Sequence, residues 1–174
     1  MKAGLKLILD EIGSLGWNLV SSNPSYAFRH KNLKQKNTFK SVCGDDIKIL
    51  KKLVSVSQRN ARFLLNEDAE SSLHTMVIAE LPSRGTDAHS HTVPKSETFT
   101  VLEGSLRISF YEYDNELVLI NDETFSSGDT VRIPDFCIHQ VLPMTSPVVY
   151  VESKQGPFLG GADSKIFLKE RFKR

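Results

Sequence analysis

The sequence predicts a mainly β fold, a sandwich or barrel, behind an α-helical N-terminal extension. Three observations carry this. From residue 72 onward, short runs rich in β-branched and aromatic residues recur at near-regular spacing. Turn residues separate the runs: Glu103-Gly104, Asp114-Asn115 and Ser126-Ser127-Gly128-Asp129. Before residue 66 the apolar spacing is helical instead.

In the first part, Leu5, Ile8, Leu9, Ile12 and Leu15 repeat at helical spacing, and Gly16 is a natural stop. Ser21 to Ser25, containing Pro24, is a turn cluster. A second helix is expected after Asp45-Asp46, with Ile47, Leu50 and Val54 on one side and the two acids favourable at its N-terminus. The remainder of this part reads as polar loops. Arg29 to Lys40 is basic, with Lys31, Lys34, Lys36 and Lys40, and reads as a solvated loop because no aromatic platform accompanies it. Lys169 to Arg174 reads as a solvated tail.

In the second part, Met76 to Ala79 is β-rich, and Glu97, Phe99 and Val101 share one parity. Leu106, Ile108 and Phe110 alternate with Arg107, Ser109 and Tyr111. Leu117–Ile120, Thr130–Ile133 and Val148–Val151 follow as further strands. The expected organisation is an extension over 1–66 and a β-barrel with a C-terminal tail over 67–174.

Composition bounds the partners. The net charge of +1 over 174 residues gives no bias toward nucleic acid or a membrane surface. Residues 1–9 hold a short apolar run broken by Lys6, unlike a signal peptide, and no stretch has the length of a membrane span. Two cysteines, Cys43 and Cys137, make neither a disulfide framework nor a CxxC site, which fits a reducing cytoplasm.

The chemistry concentrates on histidine. His89 and His91 are one residue apart. In a strand such residues point to one face, about 7 Å apart. Two imidazoles there converge on one ion. Glu97 shares parity with Phe99 and Val101, so if those face the core it does too. An inward carboxylate is costly unless paired or bound to metal. His139, alone an ordinary half-buried histidine, takes its weight from the other three. His89, His91, Glu97 and His139 make a three-nitrogen, one-oxygen site suited to one divalent transition metal: iron, manganese, zinc, nickel or copper. His30 and His74 lack such support; His74 is read as structural or pocket-lining. Cys137 is read as a small buried or pocket-edge side chain, and the strand register decides whether Tyr111, Tyr113 and Tyr150 line the barrel.

These residues carry a family resemblance. Gly85-x3-His89-x-His91-x5-Glu97-x6-Gly104 resembles the first cupin motif, and Gly128-x5-Pro134-x4-His139 the second. The first usually has three or four residues between its second His and the Glu; this chain has five, in a loop containing Pro94. The second usually has Gly where Phe136 stands and ends in an Asn absent here. Residues 58–167 resemble, more narrowly, the WbuC-type cupin-fold metalloproteins, through Arg59-Asn-Ala-Arg62, Glu97 to Gly104, Pro134 to His139 and Lys154-Gln-Gly-Pro-Phe158. Asn66 stands where such proteins often have a His.

The resemblance implies a double-stranded β-helix, the cupin jelly-roll barrel, with one metal inside. It also implies a small sugar-derived or carboxylate ligand and a surface-polysaccharide setting. Isomerase, epimerase and oxygenase chemistry all remain open, as does a non-catalytic sensor or accessory protein. Arg59, Arg62 and Lys154 are candidate anion contacts at the barrel mouth, with surface salt-bridging as the alternative. A cytoplasmic homodimer without nucleic-acid or membrane partners is expected.

Overall fold

A computed structural model describes residues 3–31 and 41–167. Most of the basic stretch and the C-terminal tail lie outside the described residues.

The first helix, α1 (Ala3–Ser14), buries Ile8 and Ile12. It stops at Gly16, whose φ of 92° is left-handed. The second, α2 (Gly44–Ser57), buries Ile49, Leu50, Leu53 and Val54. The Cys43 amide donates to Asp46 Oδ2 at 2.8 Å, so a first-turn carboxylate caps α2. Asp46 Oδ1 also accepts the Trp17 indole N–H at 2.9 Å, tying α2 to the first strand.

The helices do not alternate with loops alone. Between and after them run β1 (Trp17–Ser21), β2 (Tyr26–His30) and β3 (Ala61–Leu64). This corrects the reading of the region as helices and polar loops. Ala61 to Leu64 alternate buried and half-buried, but four residues are too few to announce a strand. Tertiary pairing makes them one: β2 and β3 run parallel, and β3 pairs antiparallel with β4 (Leu73–Glu80).

The remaining strands are β5 (His89–His91), β6 (Glu97–Glu103), β7 (Ser105–Asp114) and β8 (Glu116–Ser126), then β9 (Thr130–Ile133), β10 (Ile138–Pro143), β11 (Val148–Gln155) and β12 (Ser164–Ile166). They form a seven-stranded sheet, β1-β2-β3-β4-β11-β6-β9, and a five-stranded sheet, β12-β5-β10-β7-β8. The bulge in the β7–β8 ladder falls on β8 at Ile120, so β7 keeps its alternation: Phe110, opposite His139, packs on the barrel core, and Tyr111 is buried on the other face.

The larger sheet is apolar on both faces. Val77, Ala79 and Val149 join Phe28, Phe63, Trp17 and the two helices in one core. Met76, Ile78, Phe99, Val101 and Tyr150 face the opposite way, against Leu106, Ile108 and Val141 of the smaller sheet. Each fully buried aliphatic or aromatic side chain in these cores contributes about 1.5–3 kcal/mol. The second core is the barrel interior, and it ends where the functional side chains begin.

Candidate metal centre

Strand alternation aims the four expected ligands inward. His89 and His91 are the two ends of β5. His139 on β10 pairs directly with His89. Glu97 opens β6 and continues the inward row of Phe99 and Val101; all three are under 4% exposed. One ligand atom from each of His89, His91, Glu97 and His139 lies within 4.8 Å of the others.

Each imidazole is oriented from behind. His89 Nδ1 faces the Asp87 carbonyl at 2.9 Å, His91 Nδ1 the Asp163 carbonyl at 3.2 Å, and His139 Nδ1 the Cys137 carbonyl at 3.0 Å. A carbonyl only accepts, so each Nδ1 carries the proton in the neutral ring. The lone pair is then on Nε2, as in metal-binding histidines.

Two of these lone pairs meet a carboxylate. His91 Nε2 is 2.8 Å from Glu97 Oε1, and His139 Nε2 is 3.1 Å from Glu97 Oε2. Neither contact has hydrogen-bond alignment, and both nitrogens are buried without a hydrogen-bond partner among the described residues. Acceptors facing acceptors at this distance call for positive charge between them, a second ring proton or a bound cation. Two donor atoms at right angles around an ion, each about 2.1 Å from it, lie about 3.0 Å apart. The residues present therefore fit a single divalent ion.

The electrostatics agree. Burial alone would raise the Glu97 carboxyl, but His139, His91 and Lys154 outweigh it and hold Glu97 well below the usual carboxylate range. Burial, then the neighbouring His139, lowers His89 and keeps it neutral. Burial also opposes protonation of His91, but contact with Glu97 raises it.

Lys154, a candidate anion contact in the sequence, has its side chain 15% exposed. It lies opposite Glu97 on β11, with Nζ 3.2 Å from Glu97 Oε1 and 2.9 Å from Glu152 Oε1. Burial would lower its ammonium, but Glu152 and Glu97 raise it, so it stays charged. The segment after it is held by close packing: a Cβ on Gly156 would collide with the Ser71 carbonyl and the His74 ring. Buried His74 is structural, reaching the Ala69 carbonyl at 3.2 Å. Arg59 stands apart, donating to the Ser22 carbonyl at 2.7 Å and lying over the Tyr26 ring. Arg62 lines an open cleft of about 640 Å³ that also touches His89.

Sequence reasoning missed a second layer. Lys95, in the lengthened loop between His91 and Glu97, is 2% exposed. Its ammonium pairs with Asp163 Oδ1 and donates to the Pro157 carbonyl at 2.6 Å. Asp163 Oδ2 is 3.6 Å from His91 Nδ1, so a buried ion pair backs one ligand. The signal was present: Lys95 has the parity of Glu97 and Phe99. Asn66, buried, donates to the Asp68 carbonyl at 2.7 Å. Cys137 is half-buried and Cys43 exposed. Tyr150 faces the barrel interior and Tyr113 is exposed.

Two opposed sheets thus enclose three histidines and a glutamate contributed by β5, β6 and β10. The architecture is a mainly β, two-sheet fold of seven and five strands. Among solved structures, this chain is similar to the Lactobacillus farciminis oxalate decarboxylase in a formate complex, at 14% identity and TM-score 0.44, over 56% of this chain and 27% of that one. It is similar to Bacillus subtilis oxalate decarboxylase, a protein with Mn(II) centres, at 15% and 0.44, over 56% and 24%. The TT1209 protein of Thermus thermophilus matches at 16% and 0.45, over 56% and 84%. The chain thus spans about a quarter of the length of the decarboxylases. Neither a protein-family model nor a curated protein matches the sequence. Among the described residues, no helix is long and apolar enough to cross a membrane.

Proposed function

We propose that this cupin holds one divalent transition metal on His89, His91, Glu97 and His139 and acts on a small sugar-derived or carboxylate substrate. The observation that carries the reading is the pair of buried imidazole Nε2 atoms facing one carboxylate with no proton geometry between them. Three neutral imidazoles and one carboxylate leave a divalent ion with a net charge near +1. When bound, such an ion polarises a carbonyl oxygen and acidifies a bound water.

The chain's own residues then divide the work. The carbonyls of Asp87, Asp163 and Cys137 orient the three rings, so the donor set is largely arranged before an ion binds. Lys154 spends two of its three N–H groups on Glu97 and Glu152 and has one left for a substrate oxygen. Its fixed charge favours an anionic group beside the centre. The resemblance to WbuC-type proteins supports a substrate of the kind handled in surface-polysaccharide pathways, and a homodimer belongs to the same proposal; sedimentation at working concentration tests it.

The first experiment is metal analysis of natively purified protein beside the His89→Ala/His139→Ala double variant. About one ion per chain in the parent, lost in the variant, is the expected result. Metal in neither sample, even after reconstitution, overturns the reading.

A further inference from the structure

The cleft that touches His89 is lined from two directions. Pro24, Ser25, Asn60 and Arg62 come from the segment before β4, while Arg84, Asp87 and His89 come from the barrel side. The extension strands therefore do more than cover the barrel: they continue its inner face and wall a chamber beside the metal centre. The register shows this, because Arg62 on β3 pairs with Ile78 of β4, whose side chain belongs to the barrel core. At about 640 Å³ the chamber is within the range of small-molecule sites.

The lining is polar. Two arginines line the space with most of their side-chain donors unspent. Arg62 makes one long contact, 3.3 Å to Ser25 Oγ. Arg84 makes no ion pair or side-chain hydrogen bond among the described residues, and its carbonyl holds Asn60. At the floor, both oxygens of buried Glu80 are committed, to Asn60 Nδ2 and to the Tyr150 hydroxyl, each at 2.7 Å. Burial pushes that carboxyl up to about 7, which lessens its negative charge near neutral pH. Asp87 at the rim and the hydroxyls of Ser25 and Thr86 suit ligand hydroxyl groups.

We propose that this chamber is the ligand site of the metal centre and takes a polyhydroxylated anion, a sugar phosphate or sugar acid, with Arg62 and Arg84 clamping the anionic group. The paired forks match a phosphate or carboxylate, and charge-assisted contacts of this kind are among the stronger hydrogen bonds. His89 then presents the metal-facing end of the site to the rest of the ligand. This inference rests on the metal reading above.

The test is calorimetric titration of the metal-loaded protein and of Arg62→Gln and Arg84→Gln, with glucose 6-phosphate, gluconate and glucose as probes. At least one anionic probe should bind about tenfold or more tighter than glucose, and each variant should lose about tenfold or more of that affinity. Phosphate against carboxylate preference assigns the subclass. Arg84 is exposed, so its variant keeps the test sound even if Arg62→Gln unfolds. No preference for either anion over glucose, or full affinity in Arg84→Gln, overturns the proposal. Metal content measured on the same samples separates the two readings. Metal retained without anion binding sinks the chamber alone. Anion binding to a protein that takes up no metal sinks the metal centre and its link to the chamber.

Discussion

Lys154 reaches across from β11 to Glu97, placing an ammonium 3.2 Å from the carboxylate oxygen that also faces His91. A single lysine is thus the shared counter-charge of two buried carboxylates, Glu97 and Glu152. Lys154→Met leaves both without a counter-charge. Removing one partner of a buried pair costs about 3–5 kcal/mol. The metal-free variant should lose stability of that order in urea melts run with a chelator. Added Mn²⁺ or Zn²⁺ should then stabilise the variant more than the parent, because the ion takes over the neutralisation of Glu97. An equal metal-induced shift in both proteins would show that Lys154 and the ion do not share that carboxylate.

Lys95 and Asp163 form the second buried pair, and they stand behind His91. Asp163→Asn removes a charge that orients a ligand ring. Such outer contacts are worth about 10–100-fold in metal affinity, which a competitive chelator titration measures. The variant also strands the Lys95 ammonium in the interior. Lys95→Met strands the carboxylate instead. The double variant Lys95→Met/Asp163→Asn should be more stable than either single one, since it leaves no unpaired charge. Strictly additive losses in the double-mutant cycle would refute the coupling.

How much of this was legible follows from the range of the interactions. The tetrad was legible because a strand has period two: His89 and His91 share a face by construction, and Phe99 and Val101 set the face of Glu97. His139 needed the motif resemblance, since only the β5–β10 pairing shows that it opposes His89. The strands β1 to β3 were not legible, because pairing to β4 rather than local propensity makes them strands. Nor was the use of each cation. Arg59, Arg62 and Lys154 look alike in sequence, yet one is spent on the Ser22 carbonyl, one lines a cleft and one is held between two buried carboxylates.

Phe136 has a φ of 61° and is 57% exposed. The motif resemblance places glycine at this position, and the backbone gives the reason: the turn before His139 needs a left-handed residue. A side chain in that region costs roughly 1–2 kcal/mol, and little burial repays it here. Phe136→Gly should raise stability by about 1 kcal/mol after the added chain entropy of glycine is counted. Phe136→Ala keeps the Cβ and should give no such gain. Urea midpoints of the three proteins decide; an alanine variant as stable as the glycine variant would remove strain as the explanation.

Glu80 supplies a pH dependence with a definite sign. Burial raises its carboxyl from 4.5 to about 7, against the lowering effects of Tyr150, Arg62 and Asn60. The folded state therefore binds this proton more tightly than the unfolded chain. The resulting stability is fully present below about pH 4.5 and is lost as the pH rises through about 7. A shift of this size corresponds to about 3 kcal/mol. Glu80→Gln mimics the protonated acid at every pH, with its amide available to Tyr150 and its carbonyl to Asn60. The variant and the parent should be similarly stable at acid pH, and the variant should be more stable by an amount approaching about 3 kcal/mol at pH 8. Other titrating groups cancel in the comparison because both proteins share them. Parallel stability profiles between acid pH and pH 8 would mean that Glu80 is already ionised in the folded protein, its charge carried by Arg62 across the cleft.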